Sequence, residues 1–280
     1  AKNKLVSETG RLKCMDMAPM LHSKLFHELK GTAMFTKNQA YHFIGIGGIG
    51  VSAIARVLHQ KGIRLQGSDV RESQLTQSIR DLGIDVTIGH AAENLGDADV
   101  VVYSTAVPEH NVERQEAVRR GLPLAHRSDL LALCLSEHES VGVTGTHGKG
   151  TVSAMITHVL KTAEHDPTFI IGGLLNNYKT NAKAGQGRYA VAEVDESDKS
   201  HLNLKPHHVV VNNLEVDHLN FYANHEEIIR TMATFINQNE GLKTVALNAS
   251  DEGCQHLASF TSNVRVLTFS ASDDFPADYS

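Results

Sequence analysis

The sequence has no tryptophan, only 6 prolines in 280 residues, and aromatic side chains at just 5%. Scarce proline and 22 glycines rule out a collagen-like or proline-rich chain, and 41% hydrophobic residues rule out a disordered one. Cysteine is equally sparse: Cys14, Cys134 and Cys254 are an odd set without CxxC spacing. That excludes a disulfide framework or zinc knuckle and fits a reducing cytoplasm. Cys134, inside the apolar run 130–135, reads as a packing residue. No apolar stretch approaches the ~18 residues of a membrane span, and Ala1-Lys2-Asn3-Lys4 leads into no signal-type core. Basic charge is not in excess either, since 26 basic against 32 acidic side chains leave −6. This argues against a nucleic-acid surface, yet local basic groups can still grip a small phosphorylated ligand.

What is present is a globular composition long enough, at ~150 residues per domain, for about two domains. In residues 1–40, Leu21, Leu25, Phe26 and Leu29 fall at helical spacing and predict one short helix. Beyond Tyr41, short apolar runs alternate with amphipathic stretches, the pattern of βαβ units around a parallel sheet. Strands are predicted at 41–46, 63–66, 84–88, 99–103, 140–144, 189–194, 208–213, 243–247 and 264–269. Helices are predicted at 49–61, 73–82, 112–120, 128–136, 149–163 and 225–238.

Gly45, Gly47 and Gly50 spell G-x-G-x-x-G at the end of the first predicted strand and the head of a helix. Glycine there permits a tight turn and lets backbone N–H groups approach a pyrophosphate, whose charge the helix dipole favours. Asp69 ends the second strand, roughly 20 residues on, where an acid meets a ribose or base. By itself this fragment reads as a site for NAD or another diphosphate ligand. His90, after the third strand, either faces the same crevice or is structural.

A second unit, Val141-Gly142-Val143-Thr144-Gly145-Thr146-His147-Gly148-Lys149-Gly150-Thr151, is again strand, glycine loop and helix. It departs from a strict P-loop at Val143 and Gly150. Lys149 still offers a point charge for β/γ-phosphates, the turn amides an anion nest, and Thr151 an oxygen for Mg²⁺. Downstream, Glu193-Val194-Asp195-Glu196-Ser197-Asp198 gathers carboxylates at a predicted strand end. These either serve a metal, Glu193 first, or form a solvated turn. Asn212-Asn213-Leu214-Glu215-Val216-Asp217-His218 brings a further carboxylate and imidazole to the same edge.

Taken together, the motifs resemble the Mur ligases. The matching stretches are 42–50 with 52–55, Gly67-Ser68-Asp69, Ile88-Gly89-His90, Ala106-Val107-Pro108, Gly145-Thr146-His147-Gly148-Lys149, Ile171-Gly172-Gly173, Asp195-Glu196-Ser197-Asp198 and Asp217-His218. Their order and spacing follow the family from about residue 41 onward. The resemblance implies an α/β chain: an unassigned extension over 1–40, a Rossmann-like UDP-binding domain over 41–137, and a P-loop-type ATPase domain over 138–280. It further implies that Gly47, Gly48, Ile49 and Gly50 line the pyrophosphate of UDP-N-acetylmuramate, with Asp69 and His90 nearby. ATP would lie on Gly145, Thr146, His147, Gly148, Lys149, Gly150 and Thr151. Lys149, Glu193 and His218 would be catalytic, and Thr151, Glu193 and His218 would hold Mg²⁺. The substrate acids would be joined to an amino acid, L-alanine by the likeness of the first loop, through an acyl phosphate.

Two departures stand out. Gly150 replaces the usual hydroxyl residue after the loop lysine, so Thr151 is expected to take over the metal. Asn212-Asn213-Leu214-Glu215 is closer to the branch that recycles wall tripeptides. The family also carries a third domain that this sequence does not reach, so the 280 residues alone are expected to bind without turning over. A nicotinamide oxidoreductase would use only the first loop, and a non-catalytic nucleotide-binding module would account for Gly150.

Overall fold

The computed structural model describes residues 38–217 and 220–279, and the two predicted glycine loops sit on two separate sheets. The first contains β1 (Ala40–Ile44), β2 (Arg64–Asp69), β3 (Asp85–Ile88), β4 (Val100–Tyr103) and β5 (Leu124–His126), in the order β3-β2-β1-β4-β5. All four pairings are parallel. The order reverses at β1, whose five residues are all buried, and a crevice opens beyond its C-terminal end. Helices α1 (Ile49–Gln60), α2 (Gln74–Arg80), α3 (Val112–Arg120) and α4 (Arg127–Ser136) connect these strands and lead out of the sheet. In α1, Val51, Ile54, Val57 and Leu58 are buried, the periodicity seen in the sequence.

The second sheet contains β6 (Glu139–Thr144), β7 (Thr168–Leu175), β8 (Thr180–Lys183), β9 (Tyr189–Glu193), β10 (His208–Val211), β11 (Thr244–Asn248) and β12 (Arg265–Phe269). Its order is β12-β11-β10-β6-β9-β7-β8. It is parallel except for β8, which runs antiparallel to β7 with a register shift between Ile170 and Leu175. The α/β architecture expected from the sequence is thus present as a parallel sheet followed by one made mixed by β8. Helices α5 (Lys149–Thr162), α6 (His225–Asn237) and α7 (Glu252–Phe260) complete it.

Three strands and one α-helix of the described residues were not anticipated. β5 has three residues after Pro123, too few for an alternating pattern. β7 continues through Gly172-Gly173, residues that weaken a strand pattern, and in its short partner β8 all but Ala182 are polar. α7 carries Gly253 near its start, although Asp251 caps it by accepting from Cys254 N–H at 2.7 Å. The helix predicted within 1–40 lies outside the described residues.

The predicted boundary at 137/138 falls between α4 and β6, but Gln39 onward forms one compact body. α1 of the first sheet packs on β7 and β8 of the second. Asn181 Nδ2 donates to the Ile49 carbonyl (3.3 Å), and Ala184 N–H donates to Gln60 Oε1 (2.7 Å). The start and end of α1 are thus both attached to the second sheet. Among the described residues no helix is long and apolar enough to cross a membrane.

Candidate active site

Five of the seven described α-helices begin with a side-chain cap: Ser73, Asn111, His126, Asn224 and Asp251 accept first-turn N–H groups. The exceptions are α1 and α5, whose N-caps are Gly48 and Gly148 with no side-chain hydrogen bond. These are the two helices that follow the glycine loops. An uncapped helix start presents open N–H donors and the positive end of the dipole, the arrangement that receives a phosphate.

At the first loop, Gly45 turns the chain at φ +74°. Gly47 N–H donates to Asp69 Oδ2 at 2.9 Å. A Cβ on Gly47 would meet that same oxygen at 2.8 Å and Thr76 Cγ2 at 2.7 Å, so the glycine is required by local packing as well as by any ligand. Asp69, expected to face a ribose, also braces the loop. Gly45, Gly47, Gly48, Asp69 and His90 line one cleft of about 900 Å³. Behind it lies a fully buried carboxylate, Glu113, accepting from Ser68 Oγ (2.6 Å), Asn94 Nδ2 (2.6 Å) and His42 Nε2 (3.1 Å). Burial alone would raise its pKa; the bonds from His42, Ser68 and Asn94 outweigh this and hold it at about 2.

At the second loop, Gly145 leaves the sheet at φ +127°, where a Cβ would lie 2.8 Å from the Asn213 carbonyl oxygen. The asparagines after β10 secure the turn. Thr146 N–H donates to Asn213 O (3.1 Å) and His147 N–H to Asn213 Oδ1 (2.7 Å), while Asn212 Nδ2 and Asn213 Nδ2 reach the His147 carbonyl at 3.3 and 3.2 Å. The anion nest expected of the whole turn is thereby narrowed: the Thr146 and His147 amides are committed, and the first turn of α5 supplies the open donors.

Lys149 is not a bare point charge. Its Nζ donates to Gly145 O at 2.7 Å and pairs with Glu196 Oε1 at 3.1 Å. Glu196 is 3% exposed, and burial raises its pKa against the pull of Lys149. An incoming phosphate would take Lys149 from this carboxylate. Glu196 stood in the acidic run but was not singled out.

Glu193 Oε2 accepts Gly172 N–H at 2.8 Å and lies 3.3 Å from where a Cβ on Gly150 would be. Asp195 and Asp198 pair with Arg127 at 2.9 and 3.7 Å, and Asp198 also accepts from Thr105 Oγ1 at 2.5 Å. Burial opposes ionisation of both aspartates, yet their hydrogen bonds and Arg127 bring their pKa values below the usual range. This is a bridging cluster between sheets, and Arg127 was missed because it follows the unanticipated β5.

The two loops meet in a cleft of about 350 Å³ lined by Ile49, Gly50, Arg127, Lys149, Gly172 and Glu193. Thr151 lines an adjoining cleft of about 590 Å³ beside Met155 and Tyr178, which shares Ile171 with the cleft where the loops meet. His218 lies outside the described residues. Among the described residues no three His, Cys, Asp or Glu side chains converge as a metal site. A single carboxylate, Glu193, does suit Mg²⁺ arriving on phosphate oxygens, since that ion takes one or two carboxylates and keeps oxygen ligands from its substrate.

Comparison with known proteins places these features in context. Residues 40–139 match the Mur ligase family catalytic domain, and residues 143–279 match the Mur ligase middle domain. A UDP-N-acetylmuramate–L-alanine ligase from Syntrophotalea carbinolica is 46% identical over 247 residues, 88% of this chain and 53% of that protein. The chain thus spans about half the length of the curated relatives it matches. Among solved structures, the UDP-N-acetylmuramate–alanine ligase of Thermotoga maritima superposes with TM-score 0.73 at 31% identity, over 84% of this chain and 53% of that one. The UDP-N-acetylmuramate:L-alanyl-gamma-D-glutamyl-meso-diaminopimelate ligase of Neisseria meningitides gives TM-score 0.77 at 27% identity, over 82% and 78%.

Proposed function

The chain belongs to the Mur ligase family, and from that premise we propose that it carries the UDP-sugar and ATP halves of a cytoplasmic amide ligase joining L-alanine to UDP-N-acetylmuramate for peptidoglycan synthesis. Residues 41–137 form the UDP-sugar domain and 138–280 the ATP domain in this reading. The observation that carries it is the cleft of about 350 Å³ that Ile49 and Gly50 of one glycine loop share with Lys149 of the other and with Glu193 at the end of β9. Two phosphate-receiving helix starts opening on one cleft suit transfer of a phosphoryl group between two bound nucleotides.

The reaction is phosphorylation of the muramyl carboxylate, then attack of the alanine amine on the acyl phosphate with loss of inorganic phosphate. Gly47, Gly48, Ile49 and Gly50 hold the UDP diphosphate through the α1 N-terminus, with Asp69 bracing the loop and His90 at the cleft wall. Gly145, Thr146, His147, Gly148, Lys149, Gly150 and Thr151 form the ATP loop. Lys149, released from Glu196, neutralises charge on the transferring phosphoryl group, an electrostatic role that needs no covalent intermediate on the protein. Mg²⁺, on Glu193 with Thr151 and His218 as the further ligands the family resemblance implies, would supply added charge neutralisation.

Calorimetry tests the binding half: UDP-N-acetylmuramate and Mg-ATP should each bind, and NADH should not. Binding of NADH without the UDP-sugar would return the first loop to an oxidoreductase. A second reading, ligation of a wall tripeptide, draws on the likeness to the Neisseria ligase and on Asn212-Asn213-Leu214-Glu215. Phosphate release by the gene product that contains this chain, stimulated by L-alanine or by tripeptide, separates the two.

A further inference from the structure

Glu113 occupies a position that the phosphate chemistry does not use. It is 0% exposed, on the first turn of α3, yet its carboxylate gathers groups from three neighbouring strands: His42 in β1, Ser68 in β2, and Ala91 N–H (3.3 Å) just beyond β3. His90 lies in the same loop as Ala91, lines the large first cleft, and sends Nδ1 inward, 3.0 Å from Ser68 Oγ and 3.5 Å from Glu113 Oε2.

The proton positions follow from counting donors. An ionised carboxylate only accepts, so the single Ser68 hydroxyl proton goes to Glu113 across 2.6 Å. Ser68 Oγ then has only lone pairs for His90 Nδ1, and so has the carboxylate behind it. A bare Nδ1 would face lone pairs on both, so Nδ1 must carry the proton. In a neutral imidazole this leaves Nε2 as an acceptor, and it has no protein partner among the described residues. The same carboxylate imposes the opposite tautomer on His42, whose Nε2 donates to it while Nδ1 faces Gln66 Nε2 at 3.4 Å.

We propose that Glu113 is a positioning residue that fixes His90 with Nδ1 protonated and Nε2 offered to the first cleft as an acceptor, so that His90 reads an N–H or O–H of the nucleotide-sugar rather than a phosphate oxygen. This rests on the reading of that cleft as the UDP-sugar site. It assigns the diphosphate to the α1 N-terminus alone and gives His90 a recognition role.

Nitrogen-15 NMR of the free protein at mildly alkaline pH reads the tautomer directly. Protonated Nδ1 and bare Nε2 at His90 are expected, with Nε2 still bare when UDP-N-acetylmuramate is added. A protonated Nε2 in the free protein, or its protonation on binding, overturns the proposal. Calorimetry then compares wild type, Glu113→Gln, His90→Ala and the double variant. Each single change should weaken binding about tenfold, and the double variant no further, because Glu113 acts through His90. Losses that multiply to ~100-fold would show independent action and refute it. Should Glu113→Gln not fold by circular dichroism, Ser68→Ala enters the same cycle, since it removes the hydroxyl link. If wild type binds no UDP-N-acetylmuramate, the cleft's functional reading fails, and the free-protein tautomer decides whether Glu113 orients His90.

Discussion

Acid should destabilise this protein through a histidine outside the active site. His201 lies in the short 3₁₀ turn Ser200–Asn203, packed against α4 and α6, and is 1% exposed. Neither ring nitrogen has a hydrogen-bond partner among the described residues, and the ring stands edge-on to Phe235 at 5.3 Å and 73°. Burial pushes its pKa down from 6.5 to about 4, with Asp198 and Asp195 opposing too weakly to restore it. As pH falls through 6.5 the unfolded chain takes up a proton that the folded protein refuses until about 4. Stability is therefore intact above this window, falls across it, and levels off below. At ~1.36 kcal/mol per pKa unit the whole loss is about 3 kcal/mol, of which about 2 has gone by about pH 5.

His201→Leu keeps an apolar side chain against Phe235 and removes the titration. Urea unfolding, with m unchanged, should show the variant losing about 2 kcal/mol less than wild type between about pH 8 and about pH 5. Near neutrality the two should be similar, since the lost ring contact is offset by removal of two unpartnered buried nitrogens. Parallel stability curves for the two proteins across that range would refute the assignment and show that His201 finds a partner or a water.

Two further expectations concern the loops. In the gene product that contains this chain, Lys149→Ala should leave UDP-N-acetylmuramate affinity unchanged by calorimetry while lowering phosphoryl transfer by orders of magnitude, and near-normal turnover would remove Lys149 from the chemistry. Gly47→Val puts a side chain where Asp69 Oδ2 and Thr76 Cγ2 lie within 2.8 Å of the Cβ position. It should weaken UDP-sugar binding about tenfold or more, or ~1.4 kcal/mol, in a protein still folded by circular dichroism; unchanged affinity would place the diphosphate elsewhere.

Much of the fold was legible because its signals are local. Glycine turns, the 3.6-residue pattern of α1 and the apolar runs of β1 and β4 need only neighbouring residues to be read. The partners of the site were harder, because they arrive from distant sequence. Glu113 follows Asn111-Val112 at the head of a helix rich in charged residues, and only the strand order β3-β2-β1-β4-β5 brings it to groups of three strands. Glu196 was one of four carboxylates in six residues; nothing local distinguishes the one that meets Lys149 from those that meet Arg127. β7 was lost to its own glycines, although Gly172 is the residue whose N–H fixes Glu193.

The uncapped helix starts connect these pieces. A side-chain cap is worth about 1 kcal/mol, and five helices here take it. α1 and α5 forgo it, so each is stabilised when an anion fills the cap position, and binding energy at each loop includes that deferred contribution. The two gains are not mechanically separate. The Ile49 carbonyl in the first turn of α1 accepts from Asn181 of β8, and β8 pairs with β7, whose Gly172 holds Glu193. One hydrogen-bonded path thus runs from the first turn of α1 through β8 and β7 to Glu193, so the uncapped start of α1 and the carboxylate of the shared cleft are held by the same strand pair.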